Sequence, residues 1–353
     1  MALTLVGVQT LVWPLNEKSN NMEQSQLSVV IIGRNEGERL EHCIRSVQAM
    51  NDPPEGMELI YVDSASTDGS PARAEALGAQ VLVVHPERPA AAIGRNAGWR
   101  AATAPLILFL DGDTIVDPDF VKAALSSFTD PNVAIVWGHL RERYPHASVY
   151  QQALDLDWVF PIGVSTFCGG IALMRRHVLE DVGGFNSQLI AGEDQEICHR
   201  IRVQGHLILH IDQQMALHDL AITRWSQYWL RAIRTGYAFA EVPTLLHDNP
   251  SQFWQRKSYK NVLHASMLVG LFLVGFIMTL LLISPWPLLL SVVLFLLLSV
   301  RSAVKARWKS SHLFTLLLYG LHSQFQHIPI AIGQLSYYYH RWRRQRRRLI
   351  EYK

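Results

Sequence analysis

The stretch Pro105-Leu-Ile-Leu-Phe-Leu-Asp-Gly-Asp113 decides the fold of this chain. Leu106 through Leu110 are all apolar, and two carboxylates follow two positions apart. Alternate side chains of an extended chain share a face, so Asp111 and Asp113 leave the end of a buried strand on the same side, with Gly112 opening the backbone between them. Two hard oxygen ligands at the carboxyl end of a strand suit a divalent ion that keeps several waters and completes its shell on a diphosphate. The competing reading is a solvated Asp-Gly turn closing a core strand.

The neighbouring segments favour the site. Leu27 to Ile32 reads as a buried strand, Gly33-Arg-Asn-Glu36 as its loop, and Glu38 to Met50 as a helix with Leu40, Ile44 and Val47 on one face. Met57 to Val62 is a second strand running into Asp63-Ser-Ala-Ser-Thr-Asp68-Gly69, followed by an Ala-rich helix. Val81 to Val84, a helix from Ala90 to Ala102 and the strand at Leu106 complete three strand-helix-strand steps. Such alternation predicts an α/β fold with a mostly parallel sheet and helices on both faces. Ligands of such sheets sit beyond the carboxyl ends of the strands, where Glu36, Asp63, Asp68, Asp111 and Asp113 all fall.

Asn35-Glu36, the loop from Val62 to Gly69, Gly94-Arg95-Asn96-Ala97-Gly98 and Asp111-Gly112-Asp113, in this order, resemble family 2 glycosyltransferases of the GT-A (Rossmann-like) fold over roughly residues 27 to 240. The resemblance implies a nucleotide-sugar donor, on the uracil reading a UDP-sugar. Asp63 would read the base, Glu36 would lie near the nucleoside, Asn35 and Asp68 would join in binding the donor, and Arg95 would approach the nucleotide and donor. Asp111 and Asp113 would hold ribose, sugar and a Mg²⁺ or Mn²⁺ ion. The chain departs from the pattern at Ser64-Ala65, where the family often has Asp-Gly.

Further on, Gly169-Gly170 permits close backbone approach, and Val182-Gly-Gly-Phe185 followed by Gly192-Glu-Asp194 opens a helix whose dipole favours acids by itself. The same pattern resembles the acceptor half of the family. Carried over, Asp194 is the catalytic base of an inverting transfer, ionised at neutral pH, with Glu193 beside it on the acceptor and diphosphate side. His206 to Ile211 and Gln214 to His218 read as two edge strands, and His218 is a candidate third metal ligand, as in several GT-A enzymes. A helix from Arg224 to Ala240 carries Arg231 and Arg234 where membrane-bound relatives often show Gln-x-x-Arg-Trp; only Arg234 matches, which argues against a polymerising synthase. The two arginines face either a diphosphate or solvent and lipid headgroups.

Past residue 260 the composition changes. Val262 to Ile283 is 22 residues without a formal charge, enough at helical rise to cross roughly 30 Å of hydrocarbon. Ser284-Pro-Trp-Pro287 breaks it, and Leu288 to Val300 reads as a second, shorter apolar helix. Arg256, Lys257 and Lys260 precede this hairpin and Arg301, Lys305, Arg307 and Lys309 follow it, so both flanks belong on the cytoplasmic side. Leu313 to Tyr339 is apolar but broken by Gly320, His322, Gln324, Gln326, His327, Pro329 and Gln334, a pattern for an interfacial or re-entrant element. Arg341-Trp-Arg-Arg-Gln-Arg-Arg-Arg348 beside it points to anionic lipids rather than nucleic acid.

The expected organisation is a disordered lead-in at 1–26, with Met22 an alternative start to Met1, and a catalytic domain at 27–245. A juxtamembrane linker at 246–260, a transmembrane hairpin at 261–301 and interfacial helices with a polybasic tail at 302–353 follow. Net charge is only +2, and Cys43, Cys168 and Cys198 form no disulfide framework or metal pattern, which fits a reducing cytoplasm. The reading is an integral inner (cytoplasmic) membrane, metal-dependent inverting glycosyltransferase with its catalytic domain facing the cytoplasm. Its acceptor would be a membrane-associated, polyprenyl-linked saccharide of exopolysaccharide or glycolipid synthesis, with other polysaccharide-assembly proteins as candidate partners. The rivals are a nucleotidyltransferase, disfavoured because Gly33-Arg-Asn-Glu-Gly37 is no phosphate loop, and a non-catalytic nucleotide-binding scaffold, disfavoured by the retained Asp111, Asp113 and Asp194.

Overall fold

The computed structural model describes residues 26–245 and 252–345. Nearly all of the lead-in, with Met22, part of the juxtamembrane linker and Arg346, Arg347 and Arg348 of the basic run lie outside the described residues. Two compact units are present, one of residues 1–138, 162–187 and 193–217, the other of 139–161, 188–192 and 218–353.

The first unit opens with β1 (Leu27–Gly33), α1 (Glu38–Gln48), β2 (Glu58–Asp63), α2 (Ser70–Ala76), β3 (Gln80–Val83), α3 (Ala91–Ala101) and β4 (Leu106–Asp111). The apolar runs form the strands they predict, and β1 is buried along almost its whole length. β5 (Thr114–Val116), α4 (Phe120–Leu125) and β6 (Val133–Glu142) follow; then, after α5 (Val149–Asp155) of the second unit, come β7 (Gly163–Ser165), β8 (Ala172–Arg175), α6 (Arg176–Asp181), α7 (Glu193–Val203) and β9 (Leu207–His218). The sheet order is β3-β2-β1-β4-β8-β6-β9-β5, with β7 on β9. β3, β2, β1 and β4 are parallel, as the alternation predicts; β8 runs antiparallel to both β4 and β6, so the sheet as a whole is mixed.

Register places the functional rim. Gly33 pairs with Asp63 and Ile32 with both Val62 and Asp111, so the ends of β2, β1 and β4 finish level. Antiparallel β8 begins against Phe109, which brings the preceding Gly169-Gly170 to the same end of the sheet. α3 lies tight on β1 because Gly94 and Gly98, one helical turn apart, leave room for Ile32 and Val30; a Cβ at Gly98 would overlap the Val30 side chain.

The predicted pair of edge strands at 206–218 is one strand, β9, in the interior of the sheet order. Its buried residues alternate at Ile208 and His210 and then slip in phase to Met215, Ala216 and His218. That slip mimics a break in the sequence. At the slip, Gly138 of β6 lets the strand pass the Gln213 carbonyl, which a Cβ there would strike.

The second unit contains α5, a 3₁₀ turn at Leu156–Trp158, α8 (Trp225–Leu245), α9 (Gln252–Leu282), α10 (Trp286–Lys305), α11 (Leu313–Phe325) and α12 (His327–Trp342). α9 and α10 supply two helices long and apolar enough to cross a membrane: Trp254–Leu282, 29 residues with an 18-residue stretch of mean hydropathy 2.5, and Trp286–Lys305, 20 residues with an 18-residue stretch of mean hydropathy 2.2. The second is longer than the sequence pattern predicts, because Trp286 and Pro287 form its first turn and the helix continues through Arg301 to Lys305. The two helices touch where Gly275 meets Ser291 and where Phe272 meets Phe295.

The interrupted apolar segment resolves into α11 and α12, of 13 and 16 residues. Their polar residues bond within the unit: His322 to Asp157 and Tyr228, Gln324 to Ser302, His327 to Asn261 and Gln334 to Ser258. α12 crosses α8 at backbone contact. A Cβ at Gly236 would land on the Ile330 carbonyl oxygen, and one at Gly333 on the Ile233 carbonyl oxygen. Leu189, Phe239, Val242, Trp254 and Ile330 form a buried cluster of this unit.

Candidate active site

The site grows from the end of β4. Asp111, partly exposed, and Asp113, buried, flank Gly112, whose N–H donates to the Ile32 carbonyl at 2.8 Å. A Cβ on Gly112 would sit 3.1 Å from Glu36 Cγ, so the glycine is what lets the two loops approach. His218 closes β9, and ligand atoms of Asp111, Asp113 and His218 lie within 4.8 Å of one another. Two carboxylates and an imidazole form a donor set that fits Mg²⁺ or Mn²⁺, and they are the three residues the sequence offers as metal ligands.

Arg95 is the hub beside it. The side chain is 2% exposed; Nη2 pairs with Asp111 Oδ1 at 2.8 Å and Nη1 with Glu193 Oε1 at 2.6 Å. Its guanidinium also lies 5.8 Å from the centre of the Phe185 ring. A buried cation held by two carboxylates is costly to break, since removing one partner leaves an uncompensated charge. Gly170 is the space it needs: a Cβ there would overlap Arg95 Nη2, an atom pinned by its two carboxylates and unable to swing aside. Gly170→Ala should therefore lower stability by about 1–3 kcal/mol, read as a lowered thermal midpoint. An unchanged midpoint would show that the Arg95 pocket gives way freely.

Glu193 and Asp194 start α7. Asp194 is pushed up to about 7, first by burial and then by the neighbouring Glu193 charge, against the opposing pull of Arg95. Burial thus raises Asp194 above the ordinary carboxylate range expected from the sequence. That value suits a proton acceptor better, because a base near operating pH is both available and strong enough.

The remaining residues predicted for the donor shape its loops. Asn35 adopts φ 57°, its N–H donates to Ser66 Oγ and its Oδ1 accepts from Thr67 N, each at 2.8 Å. Asp63 is wholly buried, accepting from the Tyr61 hydroxyl at 2.8 Å and from Ser66 N at 2.7 Å. Asp68 accepts from Ser70 N and Oγ at 3.0 and 2.7 Å; burial raises its pKa, but these bonds outweigh it and hold the carboxyl below its ordinary value. Glu36 pairs with Arg39 at 2.8 Å. Arg231 and Arg234 belong to the second unit, where Arg234 reaches the Ile190 carbonyl at 3.4 Å.

Asn96 escaped the sequence reading of roles. Its Nδ2 donates to the Phe185 carbonyl at 2.7 Å and its Oδ1 accepts from Phe185 N and Trp99 Nε1, both at 2.9 Å. It fixes the Gly184-Phe185 segment that lies over Arg95. The available signal was an amide on the same helical face as Ala92 and Trp99, where an apolar residue is ordinary. All three cysteines are free and buried, with Cys168 and Cys198 Sγ 3.5 Å apart.

A mixed sheet whose parallel half ends in an acidic, arginine-bridged rim, with an Asp-Asp-His cluster that could hold a metal ion, is a GT-A type of fold. The sequence family described as Glycosyl transferase family group 2 matches residues 106–300, more than half of the chain, and Glycosyl transferase family 2 matches residues 28–183. The chain belongs to glycosyltransferase family 2. It is similar to glycosyltransferase AglE of Haloferax volcanii, 24% identical over 201 residues, 54% of this chain and 66% of that protein. It also resembles the pre-mycofactocin glycosyltransferase of Mycobacterium tuberculosis, 27% identical over 210 residues, 55% of this chain and 42% of the relative. The chain thus matches less than two thirds of the length of these curated relatives. Its fold is shared with a mannosyltransferase of Pyrobaculum calidifontis solved with GDP-Man and Mn²⁺, at TM-score 0.58 and 19% identity, covering 92% of this chain and 90% of the other.

Proposed function

We propose that the protein is a metal-dependent inverting glycosyltransferase that moves a sugar from a nucleoside diphosphate donor to a membrane-associated acceptor. The observation that carries this is the Asp111, Asp113 and His218 triad at the end of β4 and β9. These three residues would hold Mg²⁺ or Mn²⁺, which when bound neutralises charge on the departing diphosphate. The protein's own groups do the rest. Arg95, fixed by Asp111 and Glu193, keeps the rim in one arrangement whether or not donor is present, so little reorganisation accompanies reaction. The loop at 63–68, held by Asn35, Asp63 and Asp68, is the seat for the nucleoside, with Glu36 at its edge.

On the acceptor side, Asp194 takes the hydroxyl proton as that oxygen bonds the anomeric carbon and the carbon–diphosphate bond breaks on the opposite face. Inversion follows from that opposition. Arg231 and Arg234 lie on α8 among the helices that would lead to the bilayer, and we assign them to an anionic group of the acceptor. α9 and α10 cross the membrane as a hairpin, with Arg256, Lys257 and Lys260 on one flank and Arg301, Lys305, Arg307 and Lys309 on the other held cytoplasmic. Arg341, Arg343 and Arg344 at the end of α12 meet anionic headgroups, in an inner membrane on this reading. Such tethering suits a polyprenyl-linked saccharide acceptor of exopolysaccharide or glycolipid assembly.

The direct check is a screen of radiolabelled UDP- and GDP-sugars with the full-length protein, membrane lipid extract and Mn²⁺, followed by mass analysis of the organic phase. A glycosylated lipid formed only with divalent ion is expected. Label appearing solely in water-soluble products, or an undiminished rate in excess chelator, would remove the lipid acceptor or the metal respectively.

A further inference from the structure

Three consecutive residues of the 3₁₀ turn Leu156–Trp158 make three different attachments. The Leu156 carbonyl accepts from Lys309 Nζ at 2.7 Å. Asp157 Oδ2 lies 3.1 Å from His322 Nε2, and His322 Nδ1 lies 2.8 Å from the Tyr228 hydroxyl. Trp158 stands edge-on to the His218 imidazole, ring centres 5.1 Å apart at 71°. On its backbone side His218 is fixed too, its carbonyl accepting from Arg143 N at 2.9 Å.

Each attachment is more than a surface contact. Leu156 is 1% exposed and His322 7%. Lys309 also bonds the Tyr319 hydroxyl at 3.2 Å, with its ammonium 4.9 Å from the centre of that ring and 5.8 Å from Phe160. A lysine from the turn between α10 and α11 and a histidine of α11 therefore converge on one turn, and that turn presents an aromatic edge to His218. Imidazole ligands bind best when their ring plane is set beforehand by neighbouring groups.

We propose that the turn Leu156–Trp158 is a positioning element for His218, and that His322 and Lys309 hold it in place. The inference rests on the reading of His218 as a metal ligand. Trp158 limits rotation of the imidazole, and the Asp157–His322 pair stops the turn from sliding along α11. Divalent-ion affinity is then set partly by residues about 100 positions away from His218, on a turn and a helix that carry no ligand themselves.

The test is a Mn²⁺ titration of the full-length protein in detergent, followed by electron paramagnetic resonance, so that no substrate or turnover enters. Trp158→Ala should weaken Mn²⁺ binding about tenfold, with a broadened bound-ion spectrum, and Trp158→Phe should restore most of it. His322→Gln, which loosens the anchor without touching Trp158, should shift binding in the same direction and serves if Trp158→Ala fails to fold. Phe314→Ala, at a 62% exposed position on α11, should bind as wild type. Wild-type affinity in both Trp158→Ala and His322→Gln, with Asp113→Ala losing the ion, would overturn the positioning role alone. If Asp113→Ala binds Mn²⁺ normally, the metal reading falls and this inference with it.

Discussion

Asp113→Ala is expected to abolish sugar transfer while leaving a folded protein. The carboxylate lies beyond the end of β4, not inside the apolar layer formed by Val29, Ile31, Leu108 and Leu110, so its loss opens no core cavity. What it removes is one of three convergent ligand atoms, leaving Asp111 and His218. Asp111 is already shared with Arg95, so it compensates poorly. A fall of at least about 10³ in kcat/KM is expected, in the range seen when a charge-stabilising group is lost, together with loss of Mn²⁺ binding and a thermal midpoint close to wild type. Measurable turnover at the wild-type rate would place the metal, or the need for one, elsewhere.

Asp194→Asn has the second largest expected effect. The amide keeps the shape and most hydrogen bonding but accepts no proton, so kcat should fall by roughly 10² to 10⁴ while donor affinity persists. With the carboxyl pushed up to about 7, wild-type activity should climb with pH through neutrality and level off about one unit above, and the variant's residual rate should lack that limb. Stability has the opposite sign. A carboxyl whose folded pKa exceeds its unfolded value favours the fold while protonated, and that contribution disappears as pH rises through about 7. At pH 8 the neutral asparagine should then match or exceed wild type in thermal midpoint. Survival of turnover with collapsed donor affinity would make Asp194 a helix cap and pass the base role to Glu193.

Much of this fold was legible because its first half obeys local rules. Apolar runs at Leu27–Ile32 and Leu106–Leu110 became strands paired in parallel with each other, and the 3 to 4 spacing of Leu40, Ile44 and Val47 became the buried face of α1. Asp111 and Asp113 could be placed at one strand end and His218 at another from sequence, while their approach to within 4.8 Å comes from the structure. β9 was misread because its burial phase slips, and a shifted alternation looks like a turn. The pKa of Asp194 was out of reach, because it depends on Glu193 and Arg95 converging from elements 98 positions apart. The anchoring of the Leu156–Trp158 turn was hidden for the same reason, with Asp157 and His322 separated by 165 positions. Polar interruptions in α11 and α12 did signal that these segments differ from lipid-facing spans, but only the structure shows which partner each one meets.

The crossing of α8 and α12 limits how such a protein can be recombined. Gly236 and Gly333 bring the two backbones together so closely that either position rejects even a methyl group. The helices are nearly 100 residues apart in the chain, yet neither surface is acceptable to a partner shaped for ordinary side-chain packing. A chimera that exchanged everything after residue 250 for another enzyme's membrane module would set a foreign helix against a notch made for this one. Modularity in this chain therefore follows the Gly236–Gly333 joint rather than the linear order of its segments, and α8 has to travel with whatever C-terminal module it was paired to.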